Sequence, residues 1–484
     1  MRTKIVGIFV CMLMIATAIP AVGTLNKTIN EKNVQTQSNG TYDMVIIAPS
    51  IFSSTLQKLI DHKNNHGIKT TLKTTEDIYK EYNGTDKPEQ IKYFIKYALD
   101  TWNITYVLLV GGMKSYIFGT AQDDANQGSK SWYVPVRYSN LNDGYELGYI
   151  SDLYYADIYD SHGNFSSWDS NHNGIFAEWT QNKKDIVDLY PDVYIGRLAC
   201  TNKIEVKIMV DKIIKYESTP ADPSWFKKMV VVGGEMFDDN VTNYLEGEIM
   251  CDKALSYMPG FNPVKIYASN REGGGLVPTT KDIVSTLRDG SGFLYFAGFG
   301  NPSVWNTHWP GNFSINNWTG GITCFNFPRL NNKEKLPICI ASGNSLSQFN
   351  VTILGGLHDP VGMHTYSTPL PQCWSWWLTR KIGGGSIATI GDTGASYGMV
   401  GETGDINGDG VNEPDCVERY GGYMTTQFFK IYNESQAPLG EVFGETIKSY
   451  LDTFPGMNDQ TDCKTVETWT LLGDPSLRIG GYTE

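Results

Sequence analysis

Residues 292–300 read GFLYFAGFG and run on into NPSVW at 301–305; residues 336–349 read LPICIASGNSLSQF. Each is a short unbroken apolar run that stops in glycines and small polar residues. That is the signature of a strand buried on both faces that empties into a loop. In open α/β sheets, ligands bind outside the carboxyl ends of such strands. A site is therefore expected on these two loops, although neither offers an evident nucleophile or base.

Outward from this pair, strand-length apolar runs alternate with amphipathic segments. The pattern predicts strands over 44–48, 69–73, 106–112 and 190–198, and helices over 55–66, 88–102 and 204–216. Pro220 and Pro223 then break the chain, since two prolines in four residues stop a helix and favour an extended link. A second block has strands over 229–233, 264–268 and 386–390 besides the opening pair. Its helices are expected over 244–257, 280–287, 373–381, 421–432 and 439–454. Such alternation implies a mostly parallel sheet covered on both faces. The expected division is an N-terminal α/β subdomain over 42–220 and a second subdomain over 224–484.

Residues 1–23 read as a secretory signal: Arg2 and Lys4, an apolar core over 5–19, and small residues at Ala21 and Gly23. A polar leader over 24–41 follows. No later run is long enough to span a bilayer, so no membrane span is expected after cleavage. The net charge of −13 excludes the basic footprint of a nucleic-acid partner. Seven cysteines lie beyond the signal, without any CxxC, which speaks against a zinc site. Ten Asn-x-Ser/Thr sequons are consistent with a glycosylated surface protein.

Several segments, in this order, resemble the gingipain-like cysteine peptidases. In that family a strand ends in Gly-His-Gly with a Trp six residues after the His. The next strand ends in a Cys followed by x-x-small-x-Phe. Here the matching residues are Gly298-Phe299-Gly300 with Trp305, then Asn344 with Phe349. DVYIGRL at 192–198, Cys373, GGSIATIG at 384–391 and LLGDPSLRIG at 471–480 also match. The resemblance covers about residues 42–482 and implies a two-subdomain caspase-like fold with mostly parallel sheets flanked by helices.

By that resemblance Phe299 stands at the catalytic His position and Asn344 at the nucleophilic Cys position. Gly300 matches the residue whose backbone N–H helps hold the oxyanion. A shifted register puts Ser342 in place of Asn344, but the spacing from Phe349 favours Asn344. A benzyl ring carries no proton and a carboxamide is a poor nucleophile. The implied protein is a secreted or surface peptidase homologue without catalysis that binds peptides or proteins, with Trp305, His308 and Ser345 on the groove. A second reading is an active endopeptidase using Ser345 or Cys339 with His308; His358 and His364 are further candidates for the base. A third is a glycosylated structural protein of the cell envelope. Asp152, Asp157 and Arg197 resemble family positions near the subdomain junction, and the plainer reading is a structural carboxylate–guanidinium contact. His62 and His66, one helical turn apart, read as a solvated helix face.

Two acidic loops carry separate chemistry. Asp405, Asn407, Asp409, Gly410 and Val411, closed by Asp415, follow the Asp-x-Asn-x-Asp-Gly calcium pattern. There, alternate side-chain oxygens point inward, the seventh residue offers its carbonyl, and glycine permits the turn. Asp169, Asn171 and Asn173 with Glu178 form a weaker version, equally readable as a polar turn. Calcium is the expected cofactor, in a bracing role.

Overall fold

The computed structural model describes residues 41–483 apart from 125, 181, 238–243, 312–316, 355–367 and 456–457. The expected signal, the leader before residue 41, His358 and His364 lie outside the described residues. The described chain falls within one compact unit.

Two sheets form its interior. In the first, β1 (Met44–Ala48), β2 (Thr70–Thr74), β3 (Tyr106–Val110) and β4 (Tyr194–Leu198) run parallel in the order β2-β1-β3-β4. The second contains β5 (Lys228–Gly233), β6 (Asn262–Tyr267), β7 (Phe293–Ala297), β8 (Ile338–Ser342), β9 (Ala388–Asp392) and β10 (Trp469–Leu472). Its order is β10-β9-β8-β7-β5-β6, all parallel except β10 against β9. Every residue of β1, β3, β7, β8 and β9 is buried, as continuous apolar runs require.

The helices follow the same logic. Lys87–Trp102 buries the stripe Ile91, Phe94, Ile95 and Ala98. Asp86 caps its first turn by accepting from Glu89 N at 3.0 Å, and Asn103 ends it in the left-handed conformation (φ 57°). Burying side chains such as Phe94 and Ile95 contributes roughly 1.5–3 kcal/mol each.

The two sheets abut at their edges. A Cβ on Gly196 of β4 would lie 2.5 Å from the carbonyl of Gly473, just beyond β10, so no side chain fits there. One buried apolar cluster runs through both blocks. Polar stitches add to it. Lys63 Nζ lies 2.9 Å from both Glu217 carboxylate oxygens and 2.8 Å from Asp474 Oδ2, all buried. Arg197 donates through Nε and Nη2 to Asp152 at 2.6 and 2.7 Å, and through Nη1 to the Gly111 carbonyl at 2.8 Å. Asp157 accepts from Trp168 Nε1 at 2.6 Å. These are interior structural contacts.

Some expectations change. The strand expected from 190 begins at Tyr194, because Leu189 is left-handed (φ 65°) and Pro191 donates no hydrogen bond. The His62 and His66 pair is only half a solvated face: His66 is exposed and stacks on Tyr482, whereas His62 is buried with Nε2 2.9 Å from Glu217. The seven cysteines beyond the signal are all buried. The sequon residue Asn350 is fully buried, donating to Tyr138 Oη at 2.8 Å, and offers no room for a glycan.

Candidate functional site

Strands β7 and β8 are neighbours in register, Ala297 opposite Ser342. Their loops therefore leave the sheet side by side. The first is not a plain loop: Phe299–Asn301 pairs antiparallel with Val304–Asn306, which pairs in turn with Ile322–Thr323. The second turns at once through Gly343 (φ 152°), where a Cβ would lie 2.8 Å from the carbonyl carbon of Phe299. A Cβ on Gly300 would lie 2.6 Å from Leu346 Cγ and 3.0 Å from the Asn344 carbonyl oxygen. The glycines exist because the two backbones touch. Ser345 is held left-handed (φ 56°), its N–H donating to the Gly394 carbonyl at 2.8 Å. Such strained backbone is tolerated where the surroundings over-determine it, often at sites.

Phe299 and Asn344 thus stand on adjoining loops, each half-buried. The Phe299 ring sits in an aromatic cluster, with centroids 5.5 Å from His308, 5.6 Å from Trp318 and 6.4 Å from Phe237. The Asn344 carboxamide oxygen accepts from Ser396 N at 3.0 Å and Ser396 Oγ at 3.1 Å. Ser396 follows β9, so three consecutive strands of the sheet supply the site.

The other sequence-selected residues fall around this pair. Trp305 does not line a groove: it is fully buried, donating from Nε1 to the Ser342 carbonyl at 3.2 Å, and pins the two loops from beneath. His308 is buried too, bridged to Glu235 and Trp318, with its ring centroid 3.6 Å from that of Trp318 at an interplanar angle of 31°. Burial lowers its pKa, so the imidazole is neutral at neutral pH. Cys339 is mid-strand and fully buried, and burial pushes its thiol far above the ordinary value. Reactive thiols need the opposite surroundings.

Sequence reading missed Asp392, the last residue of β9. It is buried, close to Ser396 and accepting from Thr468 Oγ1 at 3.3 Å. Burial pushes its carboxyl up to about 7, against the hydrogen bonds from Thr468 and Ser396 and the attraction of Lys464. Folding therefore favours the neutral acid. The associated stability is complete below the ordinary aspartate value near 4 and is lost as pH rises through about 7. Asp392→Asn, which keeps the neutral shape, is expected to gain in melting temperature over the wild type from about pH 4 to about pH 7, and to level off above. A variant that loses ground over that range contradicts the assignment.

A polar cleft of about 780 Å³ is lined by Asn142, Asp143, Trp179, Thr180, Asn182 and Gln460 among others, and by none of the residues of the two loops. Asp143 joins it to the site, accepting from Tyr397 Oη at 2.6 Å and Lys464 Nζ at 2.6 Å. Burial works against its ionisation, but hydrogen bonds from the Glu146 N–H, Lys464 and Tyr397 prevail and hold it down to about 2.

Among the described residues, no group of three or more His, Cys, Asp and Glu side chains converges as a metal site. The two acidic loops differ in how they are closed. In the loop at 169–178, Asp169 accepts from Asn173 N and Gly174 N, both at 2.9 Å. Asn171 accepts from Asn173 N, Asn173 donates to Glu178, and Glu178 also faces Lys183. That loop is a self-satisfied turn. In the other, Asp405 accepts from Gly410 N, Asn407 from Asp409 N and Asp409 from Val411 N. Asp415 places its carboxylate beside Gly401 and Gly404 at the loop's entrance, with Oδ1 buried and without a hydrogen-bond partner. The carboxylate that reaches the loop is Glu418, whose Oε2 accepts from Ile406 N at 3.1 Å and Asn407 N at 3.2 Å.

Comparison with known proteins fixes the family. The model of Peptidase family C25 matches residues 37–480, nearly the whole chain. The chain belongs to peptidase family C25. Gingipain R2 of Porphyromonas gingivalis is 22% identical over 462 residues, covering 92% of this chain and 47% of its own. Gingipain R1 of the same organism is 23% identical over 282 residues, 57% of this chain and 22% of its own. The chain thus spans about half or less of these relatives. Among solved structures, the Arg specific cysteine proteinase gingipain R gives a TM-score of 0.59 at 18% identity, over 93% of this chain and 80% of that one. The complex of P. gingivalis RgpB pro- and mature domains gives 0.57 at 18% identity, over 90% and 79%. These likenesses establish the C25 fold, as the sequence resemblance anticipated.

Proposed function

We propose that this C25 family member is exported, binds peptide or protein in the old substrate cleft, and does not hydrolyse it. The observation that carries this reading is the pair on the touching loops: a benzyl ring held among aromatics and a carboxamide already bonded to Ser396. Neither moves a proton or attacks a carbonyl. In a hydrolase whose nucleophile or base is deleted, about a million-fold is lost and about a thousand-fold over water remains; losing both leaves no more. The touching glycine-rich loops support retained binding. The signal-like segment at 1–23 supports a secreted or surface location. The alternative with Cys339 or Ser345 and His308 has less support, since Cys339 is interior and His308 is buried in the aromatic cluster.

The test is incubation of purified protein with a mixed peptide library, followed by mass spectrometry of bound and free fractions. The expected outcome is a subset of peptides retained intact by the wild type and lost by Asn344→Arg, which fills the space between the loops. Intact peptides with no retention count against a binding role.

A further inference from the structure

We infer that the backbone carbonyls of Thr379, Lys381, Gly384 and Ser386 form a cage for a monovalent cation, which this chain fills with its own ammonium, that of Lys212. Lys212 lies on the helix Lys203–Glu217 of the first block. Its Nζ donates to those four carbonyls at 2.5, 3.2, 3.2 and 2.9 Å. The oxygens belong to the end of the helix Trp374–Arg380, where carbonyls lack helical partners, and to the turn that enters β9. An ammonium has three protons, so three donors face four acceptors and one proton must be shared. A spherical ion faces all four oxygens alike, as potassium does among the carbonyls of a channel filter.

The charges around the cage point the same way. The charged neighbours that bear on Lys212 are cations, Lys381 and Arg380, and no carboxylate of the described residues pairs with it. Arg380 donates to Gln372 at 2.5 Å and lies 3.5 Å from Glu205, while Lys381 turns to the Ile382 carbonyl. Burial, with repulsion from Lys381 and Arg380, lowers the Lys212 pKa to about 7, and the four carbonyl dipoles act to keep the proton on. Neutral oxygens without a carboxylate suit a monovalent ion, since calcium sites draw on carboxylate charge.

The cage takes its shape from residues other than Lys212. Gly383 (φ 70°) and Gly385 (φ 82°) make the turn, and a Cβ on Gly385 would lie 2.1 Å from the Leu378 carbonyl oxygen. The buried Asn332 side chain braces it, accepting from Gly385 N at 2.8 Å and donating to the Gly385 carbonyl at 2.9 Å. Ser386 N donates to the Leu378 carbonyl at 3.2 Å. The four oxygens therefore stay gathered when the lysine is removed. With Lys212 in place, the first block grips the entrance of β9, the strand that ends in Asp392 and leads to Ser396. The inference uses none of the residues of the peptide-binding proposal and survives its failure.

The experiment compares melting temperatures of the full-length wild type, Lys212→Ala and Lys212→Met in potassium chloride and in choline chloride of equal ionic strength. The choline cation is too large for the cage. A buffer near pH 6, below the lowered Lys212 value, keeps the wild-type ammonium charged. Lys212→Ala, which vacates the space beside the carbonyls, is expected to melt below the wild type in choline. It regains at least half of that loss as potassium rises, along a saturating curve, by ligand linkage. Lys212→Met, whose uncharged chain fills the space, stays low in both salts, and the wild type melts alike in both. If Lys212→Ala does not fold in choline, refolding in potassium is the same result in stronger form. A Lys212→Ala variant equally destabilised, or equally unfolded, in both salts overturns the inference. So does a potassium gain of the same size in the wild type or in Lys212→Met.

Discussion

A thiol at position 344 becomes readily alkylated in the folded protein, whereas the wild type takes up no label. Cysteines 200, 251, 324, 339, 373, 416 and 463 are all buried. Burial pushes the Cys200, Cys251, Cys339 and Cys463 thiols well above their ordinary value, and Cys324 and Cys373 up to about 11 and about 12. Thiolate is the reactive form, so these residues are inert until the chain unfolds. Asn344 is half-buried at the mouth between two loops, so Asn344→Cys is expected to take one equivalent of iodoacetamide. The rate should climb toward about pH 8.5, the value of a thiol without an imidazole beside it, because Phe299 supplies none. Counting labels by intact mass in buffer and in denaturant checks this. Labelling of the folded wild type, or none on the variant, contradicts the described site.

The largest stability effect is expected from Lys63→Met. Burial alone would lower the Lys63 pKa, but the Asp474 and Glu217 carboxylates overcome it and raise the pKa. Removing the ammonium leaves two carboxylates buried without their counter-charge, a change that typically costs about 3–5 kcal/mol. Lys63 lies on the helix Ser53–Asn65, Glu217 ends the helix Lys203–Glu217, and Asp474 follows β10. The variant therefore loosens the closing segment from the first block as well as losing stability. A fall in denaturant midpoint measures it. Restoration by a second change, Asp474→Asn, identifies the unpaired charge as the cause.

How much of this was legible in the sequence varies with the range of the forces involved. Strands β7 and β8 are unbroken apolar runs, so burial and the position of their ends could be read locally. The spacing from Phe299 to Trp305 and from Asn344 to Phe349 likewise carried the family. The short hairpin at 299–306 was not legible, since three-residue strands show no period. Trp305 lies on a loop by sequence and reads as a groove residue, but it is buried against Phe296, ring centroids 4.8 Å apart, a contact that no local pattern shows. β10 is antiparallel and short, and its pairing with β9 spans about eighty residues of chain. The roles of Asp392 and Glu418 depend on partners that folding brings in: Thr468 for the first, a loop amide eleven residues earlier for the second. No local pattern marks either.

The central claim is a cleft kept in shape with its chemistry removed. Its most direct test is peptide cleavage by the purified protein in calcium, followed by mass spectrometry over hours with the heat-inactivated protein as the blank. The account predicts no cleavage above the blank. Specific cleavage that disappears in Ser345→Ala or Cys339→Ala would contradict it.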